Sequence, residues 1–109
     1  MSKKLINLKK FLFILIIFAF FFNSTKSDEI YLEGKKIFLE KGNCAICHTL
    51  KDAGSSANIG PNLNQIRPDQ MRVVVAVTNG IGVMPAYEGQ LTPKEIEAVA
   101  HYVFNNTER

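Results

Sequence analysis

Only two of the 109 residues are cysteine, and both lie in one short stretch. No second pair exists to complete a four-ligand structural zinc site, and no cysteine follows the N-terminal apolar run closely enough for a lipoprotein anchor. That run, Phe11 to Phe22, is 12 residues long, short of the roughly 20 that a membrane-spanning helix requires. Lys9 and Lys10 prevent its clean extension back through Leu5, Ile6 and Leu8. A basic surface is missing as well. Of the 13 basic residues, Lys3, Lys4, Lys9, Lys10 and Lys26 precede Asp28, so residues 28–109 carry eight bases against all 10 acids, net −2. The formal +3 of the whole chain therefore belongs to its N-terminus, and nothing beyond it reads as a nucleic-acid-binding surface.

What the first 27 residues do have is a basic start, a short apolar core and a polar segment, Asn23-Ser24-Thr25-Lys26-Ser27. These are the parts of a secretory leader, with Thr25 and Ser27 at the small-residue positions for a cut before Asp28. Residues 1–27 are expected to be a signal peptide, and retention as an N-terminal membrane anchor is the alternative. Residues 28–109 are expected to form the single domain. At 82 residues an apolar core alone is marginal, and a covalent or metal staple is commonly needed.

The chemistry concentrates in Cys44-Ala45-Ile46-Cys47-His48. Two thiols three positions apart can bond to the two vinyl groups of one haem while the adjacent imidazole reaches the iron. Such a haem, held through Cys44 and Cys47 and ligated by His48, would supply both the staple and the centre of the core. A thioredoxin-like dithiol also fits the cysteine spacing but belongs in a βαβ unit, which the sequence does not display. A simple disulfide fits an oxidising compartment but gives no reason for His48.

Around this motif the pattern is helical. Ile30, Gly34, Ile37 and Phe38 recur at i, i+4, i+7 and i+8, with Tyr31 beside them, which predicts a helix from Asp28 to about Lys41 that ends at Gly42 and Asn43. Gly34, on the apolar stripe, marks the close approach of another helix; a tolerated surface glycine is the plain alternative. Lys51 to Gly60 has no periodicity and reads as a loop. It closes on Gly60-Pro61-Asn62-Leu63. A ligating imidazole needs an acceptor for its second N–H, and the Pro61 carbonyl is the candidate, with Leu63 packing on the haem face. Without a haem, Gly60-Pro61 is only a turn.

Val73 to Val77 carry conflicting signals. The β-branched run favours a strand, but Pro68 and Asp69 suit a helix start, Met71, Val74, Val75 and Thr78 follow helical spacing, and Gly80 suits a stop. A helix is the reading adopted, with Met71 in its core. In the glycine-hinged loop Gly80 to Tyr87, Met84 carries a thioether held by Pro85. Methionine is ordinarily a core filler; beside a haem, a soft sulfur can approach the iron opposite His48. Thr92-Pro93-Lys94-Glu95 opens the last helix with a capping box, Leu91 staples against it, and Ile96, Val99, Ala100 and Val103 form its stripe. His101 reads as a helix-edge residue, and Asn105 to Arg109 as a frayed end.

In this order, Gly34 and Phe38, Cys44-Ala45-Ile46-Cys47-His48, Gly60-Pro61-Asn62-Leu63, Met84-Pro85 and the capped final helix with Tyr102 resemble a small bacterial class I cytochrome c. The resemblance covers essentially all of residues 28–109. It implies an all-α fold in which the first and last helices of the domain cross near Gly34 and Tyr102, one haem c, and iron ligation by His48 and Met84. It also favours the helix at Val73 to Val77. The chain is short for the family and lacks tryptophan, so a haem propionate needs another partner among Tyr87, Arg67 and Arg72.

The function this resemblance implies is one-electron transfer, not enzymatic turnover: a periplasmic carrier cycling between Fe(II) and Fe(III) in a respiratory chain. Its partners would be a periplasmic dehydrogenase as donor and a terminal oxidase or other acceptor. Membrane association is expected only if the leader is retained, and monomer is the default state. Two alternatives stand beside it. One is a dedicated subunit of a dehydrogenase that oxidises sulfur compounds or alcohols; the other is a haem sensor or enzyme with a labile sixth ligand.

Overall fold

The structure is a computed structural model and describes residues 2–21 and 25–107. Met1, Phe22, Asn23 and Ser24, which belong to the expected leader, and the terminal Glu108 and Arg109 lie outside the described residues. Helix α1 spans Ser2–Phe21, and α2 spans Lys26–Lys36. Three further helices follow: α3 (Leu63–Ile66), α4 (Gln70–Asn79) and α5 (Pro93–Asn105). Among the described residues no helix is long and apolar enough to cross a membrane.

The domain is assembled where α2 crosses α5. The crossing is close because Gly34 has no side chain: a Cβ there would stand 2.1 Å from the Ala98 carbonyl oxygen and 2.7 Å from Tyr102 Cβ. Around this point Ile37, Phe38, Ile96, Val99, Ala100, Tyr102 and Val103 are buried. The Tyr102 ring meets Tyr31 edge-on at 5.1 Å between centroids and Phe38 at 5.8 Å, packing geometries that add to plain area burial. Thr92 and Glu95 cap α5 reciprocally at 3.2 and 2.9 Å, with Pro93 in the first turn. The first element of the domain is longer than a plain α-helix: α2 passes at Ile37–Lys41 into a π-helical turn, closed by Gly42 N–H donating to the Ile37 carbonyl at 2.7 Å.

Helix α4 forms where the sequence signals conflict. Asp69 caps it through the Arg72 N–H at 2.8 Å, and Gly80 ends it at φ 72°. The tertiary contact decides the matter, because α4 lies against α5 and buries Val73 and Val77. The buried stripe is therefore not the one through Met71, Val74, Val75 and Thr78, and Met71 is 67% exposed rather than core. Both stripes are apolar, so spacing alone could not choose between them.

Two other expectations are corrected. The segment after His48 holds a two-residue antiparallel ribbon, β1 (Thr49–Leu50) with β2 (Ser55–Ser56), and a 3₁₀ turn at Lys51–Ala53. Leu50 within it is fully buried. The end of α5 is tied down through Thr107: Asn106 accepts a bond from the Tyr31 hydroxyl at 2.9 Å and donates to the Tyr102 carbonyl at 2.7 Å, while Thr107 is buried.

Candidate functional site

Cys44–Ile46 form one turn of 3₁₀ helix, entered through Asn43 at φ 50°. The N–H groups of Cys47 and His48 both donate to the Cys44 carbonyl, at 3.1 and 2.9 Å. One closed turn thus carries both thiols and the imidazole. The cysteines are unpaired and partly buried. Burial, reinforced by Cys47, pushes the Cys44 thiol up to about 11. That is the opposite of the depressed value that makes a dithiol reactive, and the surrounding fold is helical rather than βαβ.

His48 is held by Pro61 and Gly60. Its Nδ1–H donates to the Pro61 carbonyl at 2.8 Å. A carbonyl only accepts, so this bond requires the proton on Nδ1 and leaves the Nε2 lone pair available in the neutral ring. Gly60 also lies against the ring: a Cβ there would stand 2.6 Å from His48 Cε1. The Gly60 N–H donates to the Cys47 carbonyl at 2.7 Å, so the segment that orients the imidazole is itself bonded to the cysteine turn. Asn62 then caps α3, whose first residue, Leu63, is buried with the core.

Met84 lies in a tightly turned loop. The backbones of Ile81 and Met84 bond each other at 3.1 and 2.9 Å, making a tight turn around Gly82 at φ 57°. Gly80 is enclosed by the same loop: a Cβ there would stand 2.6 Å from the Met84 carbonyl oxygen. Met84 is partly buried against the core. Three residues on, the Tyr87 hydroxyl donates to the Gly42 carbonyl at 2.6 Å. Burial raises the Tyr87 hydroxyl above its ordinary value, with smaller contributions from Cys44 and Cys47. Its hydrogen goes to Gly42 in this structure.

Beside the loop, α4 and Gly80-Ile81 line a groove of about 410 Å³ that includes Met71, Val75, Ala76, Ile81 and the cation Arg72. On the Cys44 to His48 turn, paired thiols and an imidazole with a free Nε2 form the donor set that a haem requires. The residues present fit that group. Sequence reasoning missed Gly60 as a contact of the imidazole, the Tyr87 to Gly42 bond, and Asp52. The Asp52 carboxylate accepts the Tyr102 hydroxyl at 2.6 Å and pairs with Lys35 at 3.2 Å. No periodic signal joins residues so far apart in the chain.

A helical domain crossed at a glycine, with a Cys-x-x-Cys-His turn beside it, is a small monohaem class I cytochrome c. Comparisons with known proteins carry this to the family: residues 30–103 match the family described as cytochrome c oxidase, cbb3-type, subunit III, and the chain belongs to it. The crystal structure of the c-type cytochrome SorU from Sinorhizobium meliloti superposes with a TM-score of 0.69 and 51% identity, covering 73% of this chain and 93% of that one. Cytochrome c6 of Leptolyngbya boryana is 37% identical over 82 residues, 70% of this chain and 92% of its own. The cbb3-type oxidase subunit FixP of Bradyrhizobium sp. (strain ORS 278) is 41% identical over 75 residues, 64% of this chain. The chain spans about a quarter of the length of that subunit. Membership of the family implies haem c.

Proposed function

We propose that the protein is a periplasmic one-electron carrier. In this reading Cys44 and Cys47 bond the haem, His48 and Met84 ligate its iron, and the Pro61 carbonyl and Leu63 support the site. The bound haem supplies the Fe(II)/Fe(III) couple. The observation that carries the reading is the His48 Nδ1–H bond to Pro61 at 2.8 Å, because it orients the ring, raises its basicity and leaves Nε2 for a metal. Met84 is supported by its place in a loop that Tyr87 ties to the segment just before Cys44. Held by both His48 and Met84, the iron would have no site left for substrate, hence a carrier rather than an enzyme.

Export is supported by the basic and apolar character of residues 1–27, read as a signal peptide or, if uncleaved, an inner-membrane anchor. The electron donor would be a periplasmic dehydrogenase. Similarity to an oxidase subunit supports a terminal oxidase as acceptor. The deciding experiment is the visible spectrum of protein expressed with the haem-attachment machinery. A c-type reduced spectrum and a far-red sulfur-to-iron band in the oxidised form are expected. A c-type spectrum without that band removes Met84 from the iron and moves the sensor or enzyme reading ahead; absence of a Soret band returns the cysteines to a dithiol or disulfide role.

A further inference from the structure

Tyr87 is a junction. Its N–H donates to the Val77 carbonyl at the end of α4 at 2.8 Å, and its own carbonyl accepts from Gln90 and Leu91 at 2.9 and 2.8 Å. These bonds tie the Tyr87 backbone to α4 and to the turn that leads into α5, and none of them reaches the cysteine turn. The hydroxyl does something different: it donates to the Gly42 carbonyl at 2.6 Å, across 45 positions of sequence. Gly42 closes the π-helical turn through its N–H to Ile37 at 2.7 Å, and a Cβ on it would lie 3.1 Å from Cys44 Sγ. The bond therefore joins the Met84 side to the cysteine side, one end three residues after Met84 and the other two residues before Cys44.

We propose that Tyr87 is a positioning residue whose hydroxyl, by bonding Gly42, holds the Met84 loop at a set distance from the cysteine turn and so limits how readily Met84 is displaced as an axial ligand. This rests on the assignment of Met84 made above. The loop is otherwise closed on itself by the Ile81 and Met84 backbone pair and hinged on glycines at positive φ, Gly80 and Gly82. A hydrogen bond from the loop's end to Gly42 ties that turn to the cysteine side, and the partly buried setting keeps water from replacing it at no cost.

The test is Tyr87→Phe, which removes one oxygen and retains the ring. Binding of imidazole to the ferric holoprotein is titrated through loss of the far-red band. The variant is expected to bind imidazole about three- to tenfold more tightly, the equilibrium effect of one hydrogen bond. Tyr102→Phe, which removes a hydroxyl bond at the helix crossing instead, should lower stability to denaturant yet leave imidazole affinity unchanged. Equal imidazole affinity in parent and Tyr87→Phe overturns the proposal, as does an increase in Tyr102→Phe as large as that in Tyr87→Phe, which would reflect general loosening. Failure of the underlying ligand assignment is separately visible, since the parent protein would then lack the far-red band before any ligand is added. If Tyr87→Phe does not mature, Tyr87→Leu, which likewise lacks the hydroxyl, takes its place: tighter imidazole binding is expected there too, and parental affinity overturns the proposal.

Discussion

Gly60 lies against the His48 imidazole so closely that a Cβ on Gly60 would stand 2.6 Å from Cε1 and 2.9 Å from Nδ1. Gly60→Ala must therefore push the ring or the Pro61 carbonyl away. A destabilisation of about 1–3 kcal/mol is expected, the usual range for overpacking, together with a shifted reduction potential because the His48 to Pro61 bond is disturbed. Denaturant unfolding of the holoprotein, followed at the Soret band, and voltammetry check it. Parental stability and potential would remove this contact from any role in orienting His48.

Gly34→Ala should be more severe. The atoms in the way are the Ala98 carbonyl carbon and oxygen and Tyr102 Cβ, which a side-chain rotation cannot clear. The helices must separate, at an expected loss of about 3 kcal/mol or more, a large share of the roughly 5–15 kcal/mol that stabilises a domain. Gly54 is the control: its φ of 67° disfavours a side chain, but nothing lies within 4 Å of the added Cβ. Gly54→Ala should cost only about 1–2 kcal/mol, the left-handed penalty alone. Comparable losses in the two variants would refute the packing account.

Asp52 gives the stability a pH dependence of known sign. The Tyr102 hydroxyl first, and Lys35 after it, hold the Asp52 carboxyl below its ordinary value. A depressed folded-state value means stabilisation that is present above the unfolded value of about 4 and is lost as pH falls through the folded one. Tyr102→Phe should weaken the folded protein at neutral pH by about 1 kcal/mol and make its acid limb shallower. Burial first, and the bond to Asp52 next, raise the Tyr102 hydroxyl. Its contribution is present below the unfolded value of about 10 and fades as pH rises above that point. Melting curves from pH 3 to 11 test both limbs, and parallel profiles for parent and variant would contradict the assignment.

Met84→Ala should leave the haem attached through both cysteines, abolish the far-red band and lower the reduction potential, since the thioether favours the reduced state. Spectra and voltammetry of the purified variant check this. An unchanged potential would count against Met84 as the axial ligand.

By itself, the sequence determined what depends on near neighbours. Cysteine spacing placed two thiols and an imidazole on one turn. Capping chemistry located α5, and the stripe through Gly34, Ile37 and Phe38 found the face that α2 buries. Those signals are local, and a family resemblance assembled from them was enough to name the fold. Beyond the His48 to Pro61 bond and the crossing at Gly34, tertiary structure alone decided the contacts between distant segments. It chose Val73 and Val77 over Met71 and Val75 because α5 covers that side of α4. It made Gly60 a wall for His48, paired Tyr102 with Asp52, and joined Tyr87 to Gly42. Each of these is a match of shape or hydrogen-bonding need across at least 12 positions, and nothing in the local periodicity encodes which distant partner will meet it.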